Sequence, residues 1–426
     1  MRVILFTGKG GTGKTSMAAA TAIAIARRGM RTIAVSSDAA HSLSDSFDLD
    51  PELFDTSMGR IVEIEPNLHA LQVNIVHEID RYWKDISQYV SVLFATQGLD
   101  KVVAEELAII PGMEELSALL YINQFDREGT YDVMVMDCAP TGETLRFLGM
   151  PDALQWYMNR IFNFERSIAS LIRPIANRVT NIPFPSDEVF ENFKDFYKQI
   201  DGVKEILVDP DRTTVRIVTN PEKMVIRETR RAYTYFCLYN LVVDQVIVNR
   251  VLPAQVKDRF FAKWRKIHEH YLAQIEEYFS PIPIVQIPLM EEEVLGVDFL
   301  VRLADMLYGD RNPADIFFRE RPIEMRGGKD TLSLSLNLPF LEKEDLELFQ
   351  SNEELVVRIG NFKRNIFLPR SFQKREFKSA RWENERLIID FDGKAKGVRK
   401  NKDMKIKAEK KDSVKSKTGT GKGTTK

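Results

Sequence analysis

The sequence predicts an α/β fold, a mostly parallel sheet with helices on both faces and helical insertions, followed by an all-β sandwich. Three observations lead there. Six short apolar, β-branched runs are separated by helical stretches. A glycine-rich octet stands directly after the first run and before an alanine-rich segment. Past residue 310 the apolar spacing changes from helical to alternating. At 426 residues the chain has room for a full α/β domain and a second module.

The six runs are Val3–Thr7, Thr32–Ser36, Asp132–Asp137, Val215–Thr219, Gln245–Asn249 and Ile284–Ile287. A parallel sheet of this kind binds ligands at the carboxyl ends of its strands, which is where the octet falls. Two long helical stretches interrupt the alternation, at about 72–125 and about 152–207. In the second, Leu154, Met158, Ile161, Phe162, Ile168, Leu171, Ile172 and Ile175 form an apolar stripe at helical spacing, with Arg160, Arg166, Arg173 and Arg178 beside it. Such a stripe serves either as core or as a groove for a hydrophobic client helix. The expected organisation is an α/β domain over 1–307, a linker over 308–322 ("YGDRNPADIFFRERP" carries the turn), a sandwich over 323–393 and a disordered tail over 394–426. Turns in the sandwich are expected at Ser351-Asn352, Gly360-Asn361 and Glu383-Asn384.

Charge is unevenly spread. Residues 394–426 hold thirteen Lys/Arg against three acids, a net charge of +10, whereas the whole chain carries −2. An acidic body therefore bears a basic tail with almost no apolar residues, which is expected to lack structure. Such a tail is a solubilising extension, or a contact for anionic lipid, ribosomal RNA or an acidic partner; no specific nucleic-acid ligand is expected. No stretch of eighteen or more apolar residues occurs, so no membrane-spanning helix is expected. The first residues run straight into a strand, with no signal peptide before it. Cys138 and Cys237 are too few for a disulfide framework. A cytoplasmic location is expected.

The octet Gly8-Lys9-Gly10-Gly11-Thr12-Gly13-Lys14-Thr15 matches G-x-x-x-x-G-K-[ST]. Glycines let backbone N–H groups turn toward phosphate oxygens, Lys14 reaches the β- and γ-phosphates, and the Thr15 hydroxyl ligates Mg²⁺. The helix from Ser16 onward points its positive end at the same phosphates. A nucleotide with Mg²⁺ is therefore expected.

Lys9 makes the motif more specific. K-G-G-x-G-K-[ST] resembles the deviant phosphate loop of the family of MinD, nitrogenase iron protein and the arsenical-pump ATPase. The resemblance implies that Lys9 reaches across a dimer interface to the nucleotide of a second copy, as an arginine finger does. With one phosphate loop per chain, that role needs a homodimer. "SSDAAHSLSDSF" (Ser36–Phe47) resembles the switch I segment of the arsenical-pump and guided-entry (tail-anchored protein targeting) ATPases, with Ala39 in place of the usual proline. By position Asp45 matches the residue that orients the attacking water, and Asp38 the carboxylate that senses the metal and water. Taken alone, Asp45 also suits a helix cap.

"VMVMDCAPTGETLRFL" (Val133–Leu148) resembles a Walker B strand ending in Asp137, which reaches Mg²⁺ directly or through water, followed by switch II. Glu143 stands where the arsenical-pump pattern often has His. Asn249 in "VIVNR" and Pro288 in "IPLMEEEVLG" resemble adenine-contacting positions, which favours ATP. The resemblance spans about 1–307.

Two features of these families are missing. A metalloid-pump ATPase traps As(III) or Sb(III) with clustered thiolates, since soft ions prefer sulfur; two separated cysteines cannot supply three thiolates. The stretch matching the zinc-binding C-x-x-C of the eukaryotic guided-entry ATPase has no cysteine, and His268 and His270 are spaced i,i+2, off one helix face. Dimerisation is therefore expected to rest on apolar and nucleotide-bridged contacts.

Leu332–Phe391 resembles the α-crystallin domain of small heat-shock proteins through Leu338-Pro339, the acidic turn Glu342–Asp345, the strand Leu355–Ile359, Phe367-Leu368-Pro369 and the closing Leu387–Ile389. No I-x-I segment follows in the tail. The module is expected either to hold or dock clients by strand addition or to act as a rigid appendage. Three functions stay open: an ATP-driven switch for a hydrophobic client, working with a membrane receptor or pump subunit; a metalloid-efflux motor; and a holdase gated by ATP.

Overall fold

The computed structural model describes residues 1–37, 42–49, 61–73, 113–142, 144, 148–149, 195, 198–327, 332–341, 346–350, 354–360, 362–373, 375–392 and 402–405. The second apolar helical stretch lies almost wholly outside the described residues, as do most of the first, Asp38, Glu143 and the turns at Ser351-Asn352 and Glu342–Asp345.

The α/β part runs β1 (Arg2–Thr7), α1 (Lys14–Ala26), β2 (Thr32–Ser36), α2 (Ser42–Phe47), β3 (Val62–Glu65), β4 (Leu68–Gln72), α3 (Met113–Glu128), β5 (Val133–Asp137), α4 (Val203–Val208), β6 (Thr213–Thr219), α5 (Lys223–Leu238), β7 (Val243–Val251), α6 (Ala262–Phe279), β8 (Ile284–Pro288) and α7 (Gly296–Tyr308). Its strands form one eight-stranded sheet in the order β3-β4-β2-β5-β1-β6-β7-β8. All neighbours pair in parallel except β3 with β4. All six expected strands are present. The two missed, β3 and β4, come from "VEIEPNLHALQ"; the Leu, Ala and Gln of β4 favour helix, and pairing with β2 and burial of Leu68, Ala70 and Leu71 override that preference, while the short β3 pairs in turn with β4.

The sheet places the octet. β1 lies between β5 and β6, its Phe6 level with Asp137 and its Thr7 level with Ile217. Every residue of β1 from Val3 to Thr7 is buried, as a central parallel strand requires. α1 is buried almost all round, and its alanines are why: Ala18, Ala19, Ala20, Ala22, Ala24 and Ala26 let it pack in one core cluster with Leu43 and Phe47 of α2 and Leu300, Leu303 and Leu307 of α7.

A polar knot stands inside this unit. The fully buried Arg216 guanidinium donates to the Tyr308 hydroxyl at 2.9 Å, to the Pro313 carbonyl at 2.7 Å and to the Asp315 carbonyl at 3.1 Å. It pairs with buried Asp244 at 3.4 Å and sits over the Phe317 ring at 4.7 Å. The stretch expected to be a linker, 308–322, is thus fastened by backbone carbonyls to β6.

The C-terminal strands are β9 (Ile323–Gly327), β10 (Leu332–Asn337), β11 (Leu346–Gln350), β12 (Glu354–Ile359), β13 (Phe362–Phe367), β14 (Phe377–Glu383), β15 (Arg386–Phe391) and β16 (Lys402–Lys405). They form two four-stranded sheets, β14-β15-β10-β9 and β13-β12-β11-β16. β10, β11 and β15 alternate buried and half-buried residues, the pattern of a sheet with one face inward. The hairpin expected at Glu383-Asn384 turns one residue later: Asn384 (φ 48°) and Glu385 (φ 61°) both take the left-handed region, as a two-residue primed turn demands. The tail also departs from its expectation. Lys402–Lys405 pairs antiparallel with β11, because that strand's outer backbone groups would otherwise have no ladder partner.

By packing, the chain forms two compact units: residues 1–326 with 333–340 and 382–388, and residues 327–332 with 341–381 and 389–426. Within the first, Arg230 lies between the Tyr278 and Phe340 rings, 4.4 and 4.3 Å from their centres. Among the described residues no helix is long and apolar enough to cross a membrane.

Arg216→Ala leaves buried Asp244 with only Arg2 and the Phe317 N–H as partners among the described residues, so a loss of roughly 3–5 kcal/mol of stability is expected. Denaturant unfolding reads this directly; a wild-type midpoint would show that the knot contributes nothing.

Candidate nucleotide site

The site grows from the ends of four strands. β1 delivers the octet, β2 the start of switch I, β5 Asp137 and β7 Asn249.

The loop's backbone is shaped by its own residues and by β6 and β7. Thr12 closes a turn on Lys9, its hydroxyl donating to the Lys9 carbonyl at 2.8 Å. A Cβ on Gly8 would stand 2.1 Å from the Val218 carbonyl oxygen, so the loop must leave β1 against the bare backbone of β6. Gly13 has φ +93°, and a Cβ there would meet the Asn249 amide nitrogen at 2.4 Å. Asn249 explains the closeness: its Nδ2 donates to the Thr12 carbonyl at 2.9 Å, and its Oδ1 accepts from the Arg250 backbone at 2.8 Å. The residue expected to read adenine therefore also anchors the phosphate loop to β7.

Lys14 opens α1 with its side chain buried. A buried ammonium at the positive end of a helix needs an anion, which a phosphate supplies. The next residue, Thr15, donates its hydroxyl to Asp137 Oδ2 at 2.7 Å, joining the two expected metal-site residues across 122 positions of sequence. Asp137 is itself buried at the end of β5. A hydroxyl and a carboxylate are hard oxygen donors, the set that Mg²⁺ takes alongside nucleotide phosphates, so these residues fit that ion.

Asp137 and its neighbours also tie the switch segments to the sheet. Ser37, the last described residue of the switch I entry, donates its backbone N–H to the Asp137 carbonyl at 3.1 Å. Its hydroxyl accepts from the Ala139 backbone at 3.2 Å. Thr144 donates to the Ala139 carbonyl at 2.7 Å and lies 3.2 Å from the Thr7 hydroxyl. Thr141 donates to Glu228 Oε1 at 2.7 Å, and Glu228 Oε2 lies 4.0 Å from Lys9 Nζ. Motif reasoning missed Ser37, Thr144 and Glu228. The first two are small hydroxyls inside matched segments that were given no role of their own, and Glu228 comes from a helix with no motif of its own.

Asp45 stands exposed on α2, which Leu43 and Phe47 pin into the core. It borders a cavity of about 380 Å³ together with Gly13, Ser16, Met17, Asn249 and Pro288. Octet, switch I acid and both adenine candidates are thus brought around one space of small-ligand size. Both thiols are buried, and burial pushes them far above the ordinary cysteine range; an adjacent carboxylate, Asp137, adds to this for Cys138. Neither is prepared as the thiolate that a soft metalloid requires. His268 accepts from the Leu252 backbone at 3.1 Å, and burial lowers its pKa. Among the described residues no three His, Cys, Asp or Glu side chains are grouped to hold a metal ion.

Comparison with known proteins agrees with this geometry. Residues 1–309 match the family described as "Anion-transporting ATPase", and residues 329–391 match the "HSP20-like domain found in ArsA". The chain is 44% identical over 393 residues to the "Putative arsenical pump-driving ATPase 1" of Aquifex aeolicus, covering 91% of this chain and 99% of that protein. It is 39% identical to the "Putative arsenical pump-driving ATPase" of Prosthecochloris vibrioformis, over 93% of this chain and 97% of the relative. The "ATPase get3" of Pyrenophora tritici-repentis is 28% identical over 72% of this chain and 91% of its own length.

Gly13→Ala is expected to weaken ATP binding at least about tenfold, since the new methyl displaces the Asn249 amide from Thr12. Titration of ATP by calorimetry on a variant with wild-type circular dichroism measures this; unchanged affinity would contradict the anchoring role.

Proposed function

The chain belongs to the anion-transporting ATPase family, and on that premise we propose that it is an ATP-hydrolysing dimeric switch that binds and releases a hydrophobic client. The observation that carries the nucleotide part is the Thr15–Asp137 hydrogen bond at the start of α1, beside the buried Lys14.

The residues divide the work. Backbone N–H groups of Gly10 to Thr15 and the positive end of α1 bind the phosphates, and Lys14 holds charge on the β- and γ-oxygens. Thr15 and Asp137 would hold Mg²⁺, with Asp38 sensing the site; when bound, the ion would supply positive charge to the nucleotide phosphates. Asp45 orients the attacking water by accepting its hydrogen bond. Lys9 of the partner subunit stabilises the charge from across the interface. Pro288 and Asn249 border the nucleoside end, which favours ATP.

In this reading closure around the nucleotide assembles a client groove from the apolar sequence stretches at about 72–125 and 152–207, which lie mostly outside the described residues, and hydrolysis opens it. The apolar stripe in the second stretch supports this part, as does the HSP20-like module, a client-docking element in this reading. A membrane receptor or pump subunit receives the client. A metalloid-efflux role is the second reading, favoured by the names of the relatives and opposed by two buried, separated thiols.

Lys14→Ala is expected to weaken ATP binding and abolish turnover. Asp45→Asn should bind ATP with near-wild-type affinity and turn over at most about a hundredth as fast, the contribution typical of a positioned base. Equal turnover in Asp45→Asn and wild type removes that assignment. Crosslinking of ATP-loaded Asp45→Asn in a lysate of the source cells, against a Lys14→Ala control, tests the client. Enrichment of proteins with a single apolar helix supports the switch. Soluble aggregation-prone proteins lost on deleting 322–393 support a holdase. A pump subunit alone, with turnover stimulated by arsenite, supports the metalloid motor.

A further inference from the structure

We infer that Glu228 is a positioning residue of the switch: it holds Lys9 on its own chain and links that lysine to switch II, so that closure begins with the loss of the Lys9–Glu228 pair. The inference rests on the proposed action of Lys9 across the dimer.

Glu228 is carried by α5 at a fixed place. Its neighbour in sequence, Thr229, is buried; the Thr229 hydroxyl lies 3.0 Å from that of Thr219 at the end of β6 and donates to the Val225 carbonyl at 2.9 Å. β6 flanks β1, so the carboxylate stands next to the phosphate loop. Its two oxygens serve different elements. Oε1 takes the hydroxyl of Thr141, which is buried in switch II, and Oε2 faces the Lys9 ammonium 4.0 Å away.

The two bonds differ in strength for a physical reason. The Thr141 bond is short and charge-assisted, and its donor is buried, so it persists. The Lys9 and Glu228 side chains are 36% and 38% exposed, so their pair is screened and easily exchanged. A γ-phosphate on a second copy offers Lys9 more negative charge than one half-exposed carboxylate does. Glu228 therefore competes with that phosphate for the lysine, and it sets the ATP concentration at which the dimer closes. When Lys9 leaves, Glu228 stays bonded to Thr141 and keeps switch II fastened to α5.

The test is the full chain carrying Glu228→Gln. Glutamine keeps an acceptor oxygen for Thr141 and removes the charge that holds Lys9. The ATP concentration for half-maximal dimerisation, read by analytical ultracentrifugation with Mg²⁺, should fall about two- to fivefold, the range an exposed ion pair allows. KM should fall with it and kcat should stay within about twofold, since the residue acts before chemistry. Glu228→Ala, which also releases Thr141, should lower kcat. In a Lys9→Ala background Glu228→Gln should leave the ATP dependence of dimerisation unchanged. An unchanged or raised half-saturation in Glu228→Gln, at a wild-type melting temperature, overturns the inference; so does the same fall in the Lys9→Ala background. Lys9→Ala that closes and turns over like wild type overturns the trans-lysine reading itself. A defective Lys9→Ala with a silent Glu228→Gln overturns the Glu228 role alone.

Discussion

The carboxyl end of β1, held between β5 and β6, is the constraint on which the rest of the site depends. Parallel pairing puts Phe6 level with Asp137, so the strand that launches the phosphate loop ends beside the strand that ends in the proposed metal-site acid. The Thr15 hydroxyl then needs only the first turn of α1 to reach Asp137. Because β2 also ends level with Asp137, the switch I entry at Ser37 meets the same point. Three functional segments converge there without any long loop to place them. That economy follows from the sheet order, since ligand sites arise where neighbouring strand ends send their connections to different elements.

Buried polar groups at these strand ends bond mainly to one another. Ser37 to Ala139, Thr144 to Thr7 and Asn249 to Thr12 each close a donor that would otherwise cost free energy in the interior. The same bonds couple the segments mechanically. In the proposed switch, a shift of switch II would pull on Ser37 through Ala139, on β1 through Thr144 and on α5 through Thr141. The alanine-rich α1, enclosed in its core cluster, would be the fixed body against which they move.

How much of this was legible in the sequence depended on how local each signal was. The octet, Asp137 and the six apolar strands are local patterns, and their places in the sheet agree with the expectation. β4 was hidden because its Leu, Ala and Gln favour helix and pairing with β2 makes it a strand; β3 is a four-residue edge strand whose only partner is β4. Asn249 was found by resemblance, yet its bond to Thr12 spans 237 residues and could not be read from spacing. Arg216 sits within the run read only as a strand; its partners Tyr308 and Pro313 lie 92 and 97 residues away, so the fastening of the 308–322 stretch was invisible. The turn in the sandwich was misplaced by one residue because Asn384 signals a left-handed position, whereas Glu385 beside it does not. In the tail, composition alone argued for disorder, and the open edge of β11 recruits residues 402–405 regardless of their charge.

The central claim is that one chain's active site is completed by the lysine of another. Mixing two inactive full-length variants, Lys9→Ala and Lys14→Ala, tests it most directly. In a mixed dimer the Lys9→Ala chain keeps its own Lys14 and receives an intact Lys9 from its partner. Turnover should therefore reappear on mixing, at about a quarter of the wild-type rate for random pairing of symmetric dimers. A mixture as inactive as either variant alone would contradict the claim and place Lys9 in the service of its own chain.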